Sequence, residues 1–125
     1  MKESIKKMNA AQEYYTQEKC HIIEISNDDN DPESSIARAR VEPGITTRWH
    51  RLVDTAERYI IVSGAGRVEV GDLSATEVSA GDVVNIPPMC PQRISNIGSE
   101  DLIFFAVCSP RFKPEAYQDI EEGLE

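Results

Sequence analysis

Residues 43–52 read PGITTRWHRL, and a carboxylate, Glu57, follows soon after. Alternate side chains of a β-strand share one face, so Arg48, His50 and Leu52 are expected to point together. Glu57 opens the next stretch of apolar residues. The spacing predicts that His50 and Glu57, on adjoining strands, meet in a single cavity.

A second segment resembles the other half of the same site. Residues 81–88 read GDVVNIPP, and the two prolines end a strand because they lack backbone donors. Gln92 and Asn96 follow on the next predicted strand. Gln92 is therefore predicted to join His50 and Glu57.

Length and charge limit the possible partners. The 125 residues suit one domain with one hydrophobic core. A net charge of -9 and a pI near 4.7 argue against nucleic acid and anionic membrane, since both require clustered lysines and arginines. We expect neither as a partner.

The arginines are concentrated in the middle of the chain. Six of the eight lie between residues 36 and 67, where only three acidic residues occur. Most are expected in ion pairs, but one or two inside a barrel would suit an anionic small molecule. Arg48 is the first candidate for such a contact. Arg38 and Arg40 share one face of their strand, which is either the inner or the outer face.

The cysteines and the termini indicate a cytoplasmic protein. Cys20, Cys90 and Cys108 form an odd set without CxxC spacing, so neither a disulfide framework nor a zinc ribbon is expected. The first lysines have no apolar run behind them, so no signal peptide is predicted. The longest apolar run, residues 102–108, is too short to span a bilayer.

Short apolar segments separated by turn residues predict an all-β sandwich or barrel. The predicted strands are residues 20–26, 35–41, 47–52, 58–62, 66–70, 82–86, 93–96 and 102–108. Residues 4–16 are predicted to be a short helix or a frayed arm at the periphery. Residues 114–124 are predicted to form an acidic C-terminal helix, with proline in its first turn.

The motif around His50 resembles the first motif of the cupin superfamily. That motif is a glycine, five residues, His-x-His, three or four residues, a glutamate, six residues and a glycine. Gly44, His50, Glu57 and Gly64 stand in register with it, whereas Leu52 takes the place of the second histidine.

The second motif of the superfamily has a glycine, five residues, a proline, and then glycine, histidine and asparagine. Gly81, Pro87 and Asn96 match this motif, while Met89 replaces its glycine and Gln92 replaces its histidine. The two linked motifs cover about residues 35–108.

The resemblance implies a cupin-type double-stranded β-helix, which is a jelly-roll barrel of two packed sheets. It would form a single domain over residues 1–125, with its barrel core at about 20–110, a short N-terminal arm at 1–19 and a helical tail at 111–125. Small cupins of this kind are commonly homodimers. Many hold a divalent iron, manganese, nickel, zinc or copper ion on three histidines and a glutamate.

Two arrangements of the predicted site remain open. In the first, His50, Glu57 and Gln92 hold a divalent metal ion with water completing its shell. In the second, the same three side chains form a metal-free hydrogen-bonded cluster. The substitutions at Leu52 and Gln92 remove two imidazole ligands and so weaken the metal site.

Two functions remain open as well. In an enzyme, a metal ion would act as a Lewis acid on a small substrate, Arg48 would orient an anionic group, and Glu57 or Tyr59 would move a proton. In a non-catalytic binding module, the same cavity would hold a small organic ligand against an apolar wall at Leu52. Cys108, at the end of the last predicted strand, is a further candidate contact.

Overall fold

The computed structural model describes residues 1–121 and confirms the all-β prediction. Within this range eleven strands are present: β1 (Tyr14–Tyr15), β2 (His21–Ser26), β3 (Ser35–Val41), β4 (His50–Leu52), β5 (Ala56–Ser63), β6 (Gly66–Val70), β7 (Thr76–Val78), β8 (Val83–Ile86), β9 (Gln92–Asn96), β10 (Leu102–Ser109) and β11 (Tyr117–Asp119). Two 3₁₀ turns, Ala10–Gln12 and Pro114–Ala116, complete the regular structure.

The strands form two antiparallel sheets. One sheet has the order β1-β2-β3-β10-β5-β8 and the other has the order β11-β4-β9-β6-β7. Strands distant in the chain are neighbours in both sheets, which is the arrangement of a double-stranded β-helix. The two halves of the predicted site therefore meet because β4 pairs with β9, where His50 is opposite Gln92.

Strict alternation along β5 shows how the core is built. Glu57, Tyr59 and Ile61 are buried, whereas the side chains between them are exposed. Ile61 packs with Ile94 and Leu102 between the sheets. Each such aliphatic side chain contributes about 1.5–3 kcal/mol by leaving water.

The predicted C-terminal helix is wrong over the described residues. Pro114–Ala116 forms one 3₁₀ turn, and the chain then extends as β11 along the edge of β4, with Tyr117 opposite Leu52. The free edge of β4 satisfies the backbone donors and acceptors of this segment, which outweighs its helical propensity. Residues 122–124 of the predicted helix lie outside the described residues.

The N-terminal arm also differs from the prediction. Of the two predicted alternatives, a short helix and a frayed arm, the helix is absent from residues 4–16 apart from a single 3₁₀ turn, and residues 1–9 form an exposed arm. After the turn, β1 pairs with β2 through Tyr14 and Ile22. Lys19, with a φ of 73°, then turns the chain into β2. The last part of the arm is thus packed on the barrel and is not peripheral. Among residues 1–121 there is no helix with the length and hydropathy needed to cross a bilayer.

Candidate active site

A cavity of about 330 Å³ lies against the inner face of the six-stranded sheet. Its floor is formed by Ser35, Ala37 and Ala39 on β3 and by Ala106 on β10. These residues share one face by alternation, and their short side chains leave the space above them open. The lining also includes five aromatic residues: Tyr14, Tyr59, Phe104, Phe112 and Tyr117.

Glu57 is the most deeply placed charged group of the cavity wall. It is 9% exposed, and the Cys108 thiol, opposite it on β10, lies 3.8 Å from Oε2 in donor geometry. The other oxygen, Oε1, is buried without a hydrogen-bond partner among the described residues. Burial raises the pKa of Glu57 to about 7, with His50 opposing this shift and the negative charge of Glu18 adding to it.

Tyr59 and Gln92 form a hydrogen-bonded pair beneath Glu57. The Tyr59 hydroxyl donates to Gln92 Oε1, and both side chains are almost fully buried. Burial raises the pKa of Tyr59 well above its usual value, and the charge of Glu57 adds to this effect. Tyr59 therefore acts as a donor that fixes Gln92.

His50 presents one ring nitrogen toward the arm. Its Nδ1 lies 2.7 Å from the Arg48 carbonyl, which can only accept, so Nδ1 carries the proton. Nε2 lies 3.5 Å from Glu18 Oε2, a carboxylate oxygen that can only accept a hydrogen bond. The ring also stacks on Tyr117 at a centroid distance of 5.2 Å.

The predicted ligands His50, Glu57 and Gln92 fit a transition-metal ion poorly. The Gln92 oxygen is engaged by Tyr59, and Leu52 is buried on β4 at the position of the second histidine. Within residues 1–121, no three His, Cys, Asp or Glu side chains converge as metal ligands would. One imidazole and one carboxylate are fewer protein ligands than such ions usually have.

The arginines expected to contact an anion lie elsewhere. Strand β4 begins at His50, so the alternation assumed for Arg48 does not apply, and its guanidinium donates to Asp119, with Nε 2.6 Å from Oδ2. Arg38 and Arg40 both donate to Glu13 on the outer face of the sheet. The described cavity lining contains neither arginine nor lysine.

Of the two remaining predicted ligand contacts, Cys108 lines the cavity and Leu52 does not. Cys108 lines the cavity beside Glu57, as predicted from its place at the end of the strand. Leu52 is 3% exposed and is not part of the described lining. Its place on the cavity side is taken by Tyr117, its partner on β11.

The polar side chains of the cavity that sequence reasoning missed include Glu18, Glu24 and Tyr117. Glu24 had a usable signal, because it alternates with Cys20 and Ile22 on a predicted strand and is a carboxylate among apolar residues. Glu18 and Tyr117 had none, since both reach the cavity through segments that were predicted as arm and helix.

Residues 37–108 match the family model of the cupin domain. The uncharacterized protein MJ1618 of Methanocaldococcus jannaschii is 36% identical over 87 residues, which cover 70% of this chain and 66% of that protein. Glucose-6-phosphate isomerase of Pyrococcus furiosus is 35% identical over 63 residues, covering 47% of this chain and 33% of the enzyme. The chain thus spans only about two thirds and one third of these curated relatives.

Solved structures share the architecture. The nucleoside dehydratase Pac13 of Streptomyces superposes with a TM-score of 0.72 at 18% identity, over 94% of this chain and 92% of the other. At this identity the likeness concerns the fold alone. Because the matching cupin model covers more than half of the sequence and the two sheets have the double-stranded β-helix arrangement, this chain belongs to the cupin family.

Proposed function

We propose that this cupin binds a small organic molecule in its cavity and exchanges a proton with it through the Glu57 carboxyl. The observation that carries the proposal is Glu57 Oε1, a buried oxygen on the cavity wall without a hydrogen-bond partner among the described residues. A buried acceptor left without a donor costs about 1–3 kcal/mol. A bound ligand that donates to Oε1 would remove this cost.

The protonation of Glu57 suits the proposed role. With a pKa raised to about 7 by burial, the acid and the carboxylate are both present near neutral pH. A general acid or base is most effective when its pKa lies near the working pH. The Cys108 thiol faces Oε2, which leaves Oε1 as the oxygen for the ligand.

Two neighbours would assist the transfer. His50 Nε2 lies on the same cavity wall, 3.5 Å from Glu18 Oε2, and would form a second hydrogen bond with the ligand. Tyr59, bonded to the buried Gln92, is a positioning residue rather than the proton donor. The nucleoside dehydratase named above shows that a barrel of this fold supports the loss of water from a small molecule. That support is an analogy of fold.

The second candidate is a divalent metal ion at His50, Glu57 and Gln92. The position of His50 Nε2 and Glu57 on one cavity wall favours it, as does the cupin family itself. Gln92 would first have to release the Tyr59 hydroxyl. If a metal ion were bound, it would supply Lewis-acid chemistry to the ligand.

Elemental analysis by mass spectrometry separates these candidates. Untagged protein purified without chelator is compared with His50→Ala. Near-stoichiometric metal that is lost in the variant would favour the metal centre, with His50 as one of its ligands. We expect metal far below one ion per chain, with no difference between the two proteins.

Proton exchange in deuterated water tests the role of Glu57. Nucleosides and monosaccharides that raise the melting temperature are followed by NMR for deuterium incorporation or loss of water. We expect Glu57→Gln to slow the reaction at least about 100-fold, whereas Glu33→Gln, an exposed control, leaves it unchanged. Equal rates in wild type and Glu57→Gln would overturn the proposal. Binding without any reaction would identify a non-catalytic binding module.

A further inference from the structure

We infer that the cavity recognises a small amine, whose ammonium group contacts Glu24 while the remainder of the molecule extends toward Glu57. The inference rests on the proposed function and names the chemical class of its ligand. The inferred ligand is a cation, whereas the arginine-rich middle of the sequence led us to expect an anion.

The charge of the cavity wall is the first argument. Glu18, Glu24 and Glu57 all line the cavity, and no lysine or arginine does so within residues 1–121. The whole chain carries a net charge of -9. A cation is therefore attracted to this cavity, whereas a carboxylate or phosphate is repelled from it.

Glu24 is the second argument, because one oxygen of its half-buried carboxyl group has no partner within residues 1–121. Its Oε2 is buried without a hydrogen-bond partner among the described residues, and Glu24 forms no ion pair there. Burial raises the pKa of Glu24 above its ordinary value. A donor group of the ligand would satisfy this oxygen, just as the proposed function requires one for Glu57 Oε1.

Strand register sets the separation of these two acids. Glu24 on β2 lies opposite Ala37 on β3, Ala37 lies opposite Ala106 on β10, and Ala106 lies opposite Tyr59 on β5, the strand of Glu57. Three strand spacings of about 4.8 Å, combined with the offset of about 7 Å along β5 from Tyr59 to Glu57, place the two backbones about 16 Å apart. Small residues lie between them on the cavity floor, so one ligand can reach both ends.

Aromatic rings of the cavity lining support a cation rather than a neutral donor. Tyr14 pairs with Ile22 on β1 and β2. Burial raises the pKa of Tyr14, and the nearby charge of Glu24 adds to this shift. Tyr117, whose hydroxyl has no partner among the described residues, faces the same cavity. An ammonium group over such rings gains about 0.5–2 kcal/mol.

Three isosteric probes test the inference: benzylamine, benzyl alcohol and benzoate, each titrated by NMR at pH 7 and constant ionic strength. We expect benzylamine to bind at least about tenfold more tightly than the other two, which corresponds to the lower range of a charged hydrogen bond. Glu24→Gln should weaken benzylamine about tenfold and change benzyl alcohol less than about twofold. Glu33→Gln removes the same charge from an exposed loop and serves as the matched control.

Three results would overturn the inference. These are tighter binding of benzoate, equal binding of benzylamine and benzyl alcohol, or an equal loss of benzylamine affinity in Glu24→Gln and Glu33→Gln. Failure to bind any of the probes would also count against an amine ligand. The deuterium experiment on Glu57 uses neutral molecules and a different variant. Its outcome therefore tests the proposed function separately from the amine ligand.

Discussion

The neighbours and the burial of each carboxyl group set its pKa in this protein. The groups that face Glu57 are His50, Glu18, Tyr59, Gln92 and Cys108. Burial has the largest effect on this carboxyl group, and no lysine or arginine within residues 1–121 faces it, so folding raises the pKa of Glu57. Glu13 is the opposite case, because hydrogen bonds from Arg40 lower its pKa to about 2.

Glu57 should make the protein less stable as the pH rises. Its pKa is raised from 4.5 to about 7 on folding, so its stabilising effect is complete below about pH 4.5 and is lost as the pH passes through 7. The full effect is about 3 kcal/mol. We expect Glu57→Gln to flatten the decline in the free energy of unfolding between pH 5 and 8, measured with urea. An unchanged decline in the variant would show that Glu57 titrates normally.

The Tyr59 hydroxyl should contribute to stability through Gln92. In Tyr59→Phe the Gln92 oxygen, in a side chain that is 1% exposed, loses its donor. A buried acceptor without a partner costs about 1–3 kcal/mol, and urea unfolding should show a loss of this size. Tyr15→Phe, at a side chain that is 59% exposed, should remain within about 0.5 kcal/mol of wild type. Equal effects of the two substitutions would remove the proposed positioning role.

At the level of strands and turns, hydrophobic alternation predicted those strands whose bounds depend on their own sequence. The alternation in Ser35–Val41 and Gly66–Val70 gave the observed bounds of β3 and β6. The extension of Tyr117–Asp119 was not predictable in this way, because it depends on the free edge of β4, about 65 residues earlier in the chain. Arg48 was misplaced for a related reason, since β4 begins only at His50.

The turn between β5 and β6 requires glycine at position 64. Gly64 has a φ of +89°, and a Cβ there would lie 2.7 Å from the Asp101 carbonyl oxygen. We expect Gly64→Ala to cost about 2–4 kcal/mol in urea unfolding. Gly81 has a similar φ of +93° but no atom within 4 Å of its Cβ position, so Gly81→Ala should cost about 1–2 kcal/mol. A smaller loss at Gly64 than at Gly81 would contradict the steric argument.

For the molecule as a whole, the cupin fold was predictable from two motifs, whereas the character of the cavity was not. The motifs contain the turn glycines and the residues of β4, β5 and β9. Glu18 and Glu24 come from outside those motifs, and they change the expected ligand from an anion to a cation. A cavity assembled from the arm and from distant strands has an electrostatic character that no single segment reveals.

A homodimer remains a prediction, and the outer face of the six-stranded sheet is its best interface. Ile36, Ile60, Val62 and Val83 are each 37–55% exposed on this face, and Phe105 on β10 lies opposite Ile60. Arg38 and Arg40 on the same face are paired with Glu13. In a chain with a net charge of -9, an apolar patch beside these paired charges is where two copies can approach with little repulsion. Trp49, by contrast, is covered by the Arg93 guanidinium at 4.4 Å.

Sedimentation velocity tests this interface. Wild type should sediment as a dimer at tens of micromolar, whereas the double variant Ile60→Lys and Val62→Lys should be monomeric, because two charges per chain would be buried without partners. Leu73→Lys introduces a charge at an apolar side chain that is 75% exposed and lies in the β6–β7 connection, so it should remain dimeric. A monomeric wild type, or a dimer that tolerates the double substitution, would exclude this face as the contact between copies.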